Sequence, residues 1–154
     1  MRRLQNNQNI EKNEIINFYF DGKKYQGYKG DTLASALVAN NIHLVGRSFK
    51  YHRPRGIVSA GSEEPNGIVQ LETNEYTEPN RRVTEIKLYE GLKAFSQNNW
   101  PNVNFDFGAI NDLLSPFFPA GFYYKTFMWP PSFWYKIYEP FIRMAAGFGE
   151  ASIK

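Results

Sequence analysis

The sequence predicts a small α+β fold, a sheet crossed by one helix, and three observations carry that prediction. Ile15-Ile16-Asn17-Phe18-Tyr19-Phe20 is β-branched and aromatic, with Ile16, Phe18 and Phe20 on one face, and Asp21-Gly22 follows it. That dipeptide supplies the positive φ angles of a tight hairpin turn. Asp31-Thr32 is a helix N-cap signal, after which Leu33, Ala34, Leu37 and Val38 fall on one helical face. Further on, residues 67–71 and 83–89 read as strands, the second with Ile86 and Leu88 inward and Glu85 and Lys87 outward.

In chain order, a strand over 15–20 turns at Asp21-Gly22 and returns over 23–28. The helix begins after Asp31-Thr32 and stops at Asn40-Asn41, residues that tolerate a left-handed conformation. Residues 43–66 are expected to be irregular, and the two later strands complete the sheet. Beyond Gly91 the pattern changes. Six of the nine prolines lie between Pro101 and Pro140 and break the region into short pieces. Asn111-Asp112-Leu113-Leu114 makes about one helical turn before Ser115-Pro116. Pro130-Pro131 opens a helix over 132–146 that bends near Pro140 and stops at Gly147.

A length of 154 residues with 42% hydrophobic content suits one domain, or a small domain with an extension, and 21% charged residues is too few for a disordered chain. No uninterrupted apolar run reaches membrane-spanning length. No apolar stretch follows Arg2-Arg3, so the start is not a secretory signal, and a cytoplasmic location is expected. The chain has no cysteine, which excludes a disulfide framework, a thiolate metal site, a cysteine-held iron–sulfur cluster and a cysteine nucleophile. The net charge of +3 is too small to argue for nucleic acid. Of the 26 aromatic residues, 17 lie in the last 60 positions, where charges are sparse. The expected organisation is therefore a polar flexible arm over 1–14, the α+β domain over 15–93, and an aromatic, proline-rich extension over 94–154. Rings at that density call for a partner surface to cover them, with Trp129 and Trp134 as docking anchors.

The densest chemistry is Arg47-Ser48-Phe49-Lys50-Tyr51-His52-Arg53-Pro54-Arg55-Gly56, four permanent cations with no acid among them. Two readings stand side by side. The loop binds phosphates of a nucleotide or nucleic acid, with rings stacking on bases. Alternatively it is structural, solvated or tying two domains together through carboxylates, with Arg47, Lys50 and Tyr51 as docking residues. His43 and His52 have no metal-ligand spacing. Glu63-Glu64 reads as a charged turn, and Ser59 and Ser62 have no triad partners. Neither a P-loop nor Gly-x-Gly-x-x-Gly is present. Nothing in the chain carries catalysis.

Asp31-Thr32-Leu33-Ala34-Ser35-Ala36-Leu37 and the motif over 46–56 closely resemble the amino-terminal region of heterotetrameric sarcosine oxidase alpha subunits. So do Glu63-Glu64-Pro65-Asn66, Ser96-Gln97-Asn98-Asn99-Trp100-Pro101, Phe107-Gly108-Ala109-Ile110-Asn111-Asp112 and the run over 119–130. The resemblance covers residues 15–149. It implies a β-grasp domain of the [2Fe–2S] ferredoxin type, followed by an irregular aromatic and helical extension. Related amine and opine dehydrogenase subunits carry Cys-x4-Cys-x2-Cys after the helix; laid on that pattern, Ser59, Glu64 and Gly67 occupy the cysteine positions, so no cluster is held.

The family also implies a following dinucleotide-binding domain and a folate-binding domain. Here the sequence ends before any glycine-rich dinucleotide motif, as a fragment or a separately encoded piece would. The implied role is a non-catalytic assembly domain of an enzyme that oxidatively demethylates sarcosine and passes the one-carbon unit to tetrahydrofolate. NAD, FAD, FMN and tetrahydrofolate belong to the complete complex, none to this segment. The partners are the rest of the alpha subunit and the other subunits, not a membrane. Arg53 and Arg55 are expected at a domain or cofactor boundary, facing carboxylates or a dinucleotide pyrophosphate.

Overall fold

The computed structural model describes residues 11–117 and 129–145. Strand β1 (Glu11–Phe20) pairs antiparallel with β2 (Lys23–Lys29), and the turn between them has Asp21 at φ 48° and Gly22 at φ 75°. The strand starts before the expected Ile15: Glu11 already pairs with Lys29. Residues 11–14, read from sequence as part of the arm, therefore belong to β1. The remainder of that arm lies outside the described residues.

Helix α1 (Leu33–Ala39) starts at Thr32 through a reciprocal cap. Thr32 Oγ1 accepts from the Ser35 amide at 3.2 Å, and Ser35 Oγ accepts from the Thr32 amide at 3.0 Å. It stops at Asn40, and Asn41 takes the left-handed conformation at φ 63°. Leu33, Ala34, Ala36, Leu37 and Ala39 are buried, whereas Val38, expected on the inner face, is exposed.

After α1 comes a two-stranded ribbon, β3 (Leu44–Arg47) and β4 (Pro54–Gly56), where an irregular segment was expected. Strands β5 (Ile68–Leu71), β6 (Glu78–Arg82) and β7 (Lys93–Ser96) complete a five-stranded sheet in the order β2-β1-β7-β5-β6. Only the β1–β7 pair in this sheet is parallel. A mixed sheet with a central parallel pair and one helix across it is the β-grasp arrangement. Phe18, Leu33, Leu37, Val45, Val69, Val83, Leu92 and Ala94 have no solvent exposure and form the core between helix and sheet. Each large side chain removed from water there stabilises the fold by about 1.5–3 kcal/mol.

Two strand expectations are corrected. Residues 83–89 do alternate, with Ile86 and Leu88 buried and Glu85 and Lys87 exposed, but they join no sheet ladder. Their carbonyls serve the helix instead: the Leu33 amide donates to Ile86 O at 2.8 Å and the Ala34 amide to Val83 O at 3.0 Å. The first turn of a helix has amides without intrahelical partners, and this segment supplies two acceptors. The central strand β7 crosses residue 93, where the sequence put the domain's end, so the sheet takes its middle strand from across that boundary.

The chain past β7 is stitched back onto the ribbon. Asp106 caps a 3-10 turn (Phe107–Ala109), which runs into α2 (Ile110–Leu113) and a second 3-10 turn (Ser115–Phe117). The second described stretch is continuously helical: a 3-10 turn (Pro131–Phe133), a π-helical turn (Trp134–Tyr138) and α3 (Glu139–Ala145). The change from π to α register falls one residue before Pro140, whose missing N–H cannot continue an interior ladder. The expected stop at Gly147 and most of the ring-rich run over 117–128 lie outside the described residues. Among the described residues no helix is long and apolar enough to cross a membrane.

Candidate functional site

The loop between β4 and β5 is built around one buried carboxylate. Glu64 is 1% exposed. Its Oε2 accepts from the backbone amides of Val58 at 2.8 Å and Ser59 at 2.6 Å. Its Oε1 accepts from Asn66 at 2.8 Å and Gly67 at 2.9 Å. Burial alone would raise the carboxyl's pKa, but four amides donating to the charged form outweigh it and hold the value down at about 2. Two further bonds pin the same loop: Arg82 Nε donates to Glu64 O at 2.9 Å, and Thr84 Oγ1 donates to Gly61 O at 2.7 Å. Glu63 is exposed, so the charged-turn reading suits it and fails for Glu64.

The basic ribbon divides its cations between two faces. Gly46 pairs with Arg55 and Arg47 pairs with Pro54, and period-two alternation sends the two guanidiniums to opposite sides. Arg47 turns toward the extension. Its Nε donates to Val103 O at 2.9 Å, its Nη1 donates to His52 O at 2.9 Å, and Nε lies 3.5 Å from Asp106 Oδ2. His52, at φ 54°, brings Nδ1 within 2.7 Å of the same oxygen. Asp106 Oδ1 accepts from the Trp100 amide at 2.9 Å and the Gly108 amide at 3.1 Å. Burial opposes ionisation of Asp106, but these amides and His52 prevail and hold its pKa below the usual carboxylate value. The His52 ring lies against Gly108, where a Cβ would come within 2.2 Å of it.

Arg53 and Arg55, expected together at one boundary, are separated. Arg53 is exposed; its Nε donates to Asp112 Oδ1 at 2.6 Å, and its guanidinium stacks 4.7 Å from the Tyr51 ring centroid. Lys50 Nζ lies 4.8 Å from that centroid. Arg55 is half-buried and donates Nη1 to Asn66 Oδ1. Trp129 is 80% exposed, whereas Trp134 is half-buried in its helical turn. A ladder of rings unremarked in the sequence also stands exposed: Trp100 and Phe105 flank Phe107, with centroids 5.2 and 5.1 Å from it. His43 bonds Asn41 Oδ1 at 3.2 Å and stays apart from His52's network.

Sequence reasoning missed Asp106 and the true part played by Glu64. Asp106 precedes Phe107-Gly108 as a cap residue would, and Glu64 stands just before the turn-forming Asn66-Gly67.

A β-grasp sheet with a loop of converging amides after its helix defines a ferredoxin-type domain. This chain belongs to the family described as 2Fe-2S iron-sulfur cluster binding domain, which matches residues 13–99. It is 61% identical over 143 residues to a sarcosine oxidase subunit alpha from Rhizobium meliloti (strain 1021), covering 93% of this chain and 14% of that protein. It is 35% identical over 88 residues to a sarcosine oxidase subunit alpha from Corynebacterium sp. (strain U-96), covering 55% of this chain and 9% of that protein. A solved structure, L-proline dehydrogenase from P. horikoshii, aligns with a TM-score of 0.44 at 26% identity, covering 60% of this chain and 17% of that one. The chain thus spans about a seventh or less of the curated relatives' lengths.

The family's cluster does not fit these residues. The chain has no cysteine. Ser59, Glu64 and Gly67 do converge, but through the Ser59 and Gly67 amides bonding the Glu64 carboxylate. At Gly67 a Cβ would sit 2.7 Å from Val83 Cγ2 and 3.3 Å from Glu64 Cγ, so a side chain there collides with the core. Among the described residues no three His, Cys, Asp or Glu side chains form a metal-binding group.

Proposed function

We infer that this chain is the amino-terminal assembly domain of a sarcosine oxidase-type alpha subunit and carries out no chemistry itself. The observation that carries the reading is the 61% identity with a sarcosine oxidase subunit alpha across 93% of the chain. The complete enzyme, on this reading, oxidatively demethylates sarcosine and passes the one-carbon unit to tetrahydrofolate, with NAD, FAD and FMN held by its other domains and subunits. Glu64 supports the non-catalytic part: the loop that would present a redox centre is closed by its own carboxylate. The exposed ring ladder at Trp100, Phe105 and Phe107, with Trp129 beyond it, offers apolar area for a neighbouring domain. In the basic ribbon, Arg47 and Arg53 already bond protein acids and carbonyls. That favours docking over the alternative of a nucleic-acid or nucleotide module at 47–55.

The test is to express the chain with the remainder of its subunit and the partner subunits, and to compare flavin-containing assembly with and without residues 1–117. Loss of assembly with retention of the flavins' redox behaviour in residual complex supports the reading. Unimpaired assembly and turnover without the segment overturns it. Retention on single-stranded DNA that falls steeply with salt would favour the alternative.

A further inference from the structure

Arg55 differs from every other arginine among the described residues. Arg47, Arg53, Arg81, Arg82 and Arg143 each have a carboxylate within ion-pair distance, from Asp106, Asp112, Glu78, Glu85 and Glu139 respectively. Arg55 has none, and its one hydrogen-bond partner is the neutral Asn66 side chain. It is half-buried, so its charge is partly removed from water without an opposite charge to offset the loss. It lines a cavity of about 210 Å³ together with Phe49, Asn66, Ile68, Asn80 and Gln97. Asn66, which accepts the Arg55 hydrogen bond, stands in the same wall. A half-buried guanidinium with no carboxylate beside it wants an anion in that space.

Charge decides which anion. A phosphate monoester brings about −1.5 to −2 at neutral pH and calls for a second cation. The neighbouring cations are already committed, Arg47 to Asp106 on the opposite side of the ribbon and Arg53 to Asp112. One uncompensated guanidinium matches one carboxylate, whose two oxygens fit the guanidinium fork. We propose that the cavity at Arg55 is a carboxylate-binding site. The carboxylate comes from a free small acid or from an acidic side chain of the neighbouring part of the assembled enzyme. The site stands on this chain's geometry alone and does not depend on the assembly reading.

The test follows the Arg55 Nε–H and the Asn66 side-chain amide resonances of the 154-residue chain during titration with glycolate, and separately with inorganic phosphate. Saturable shifts of both groups with glycolate, weakened at least tenfold in Arg55→Gln and partly restored in Arg55→Lys, are expected. Phosphate binding tighter than glycolate, no saturable shift, or an equal response in a folded Arg55→Gln chain overturns the proposal. Equilibrium dialysis of labelled glycolate against the assembled enzyme, parent minus Arg55→Gln, then separates the sources. One extra bound glycolate identifies a free acid; no difference, with binding kept in the chain alone, identifies a neighbour's carboxylate.

Discussion

The Ser59 amide nitrogen and a Glu64 carboxylate oxygen are 2.6 Å apart, the shortest of four backbone bonds that close the loop around a single side chain. In a ferredoxin-type loop, amides that converge without a cluster would otherwise be donors with nothing to accept them. Glu64 supplies the negative charge and the acceptors from within the chain. Its substitution is therefore costly in a graded way. Glu64→Gln keeps one oxygen for one pair of amides and turns an NH2 donor toward the other pair, costing about 2 kcal/mol. Glu64→Ala leaves all four amides without their acceptor and costs about 3 kcal/mol, read from urea unfolding with an unchanged slope.

Acid should weaken the fold through the same group. The carboxyl's pKa is about 2 in the folded chain against an ordinary 4.5. A carboxyl depressed by folding contributes stability that is fully present above the unfolded value and lost as pH falls toward the folded one. The shift corresponds to about 3 kcal/mol, present above about pH 5 and lost toward about pH 2. Unfolding measured across that window should show the decline in the parent and a flatter profile in Glu64→Gln.

The junction between ribbon and extension depends on His52 and Asp106. Asp106→Ala leaves the Trp100 and Gly108 amides and the His52 ring without their acceptor, an expected loss of about 3 kcal/mol. Gly108→Ala is expected to cost about 2 kcal/mol, because its Cβ would displace a ring that Asp106 holds in place. A double-mutant cycle between His52→Ala and Asp106→Ala should give a coupling of about 1 kcal/mol or more. Full additivity would mean that the two residues act independently.

Local signals were legible where one residue type has one conformational reason. Asp21-Gly22 marked the hairpin, Thr32 the helix start and Asn41 its stop, and all three hold. What the sequence concealed was decided at long range. The ribbon strands are only four and three residues long, and their connecting turn takes its positive φ at His52 rather than at a glycine. Residues 83–89 have a strand's alternation, but tertiary packing spends their carbonyls on α1. β7 is four residues of an otherwise unpatterned stretch, and only the fold puts it between β1 and β5. Adjacent acids look alike in a sequence; the loop folds its amides around Glu64 and leaves Glu63 in water.

The ring ladder predicts self-association of the chain by itself. Trp100, Phe105 and Phe107 are each more than half exposed in contiguous contact. Sedimentation of the 154-residue chain should show concentration-dependent oligomers that the triple change Trp100→Ser, Phe105→Ser and Phe107→Ser reduces. A parent chain that stays monomeric at all concentrations would mean that these rings are not a docking surface.

Glu64 organises the loop that stands where a ferredoxin-type domain holds its cluster, and amide hydrogen exchange at Val58, Ser59, Asn66 and Gly67 reads that role residue by residue. These four amides should exchange slowly together at neutral pH. In Glu64→Ala they should lose about 100-fold in protection while the β1 and β2 amides keep theirs. Fast exchange at these four positions in the parent, or unchanged protection in the variant, would contradict it.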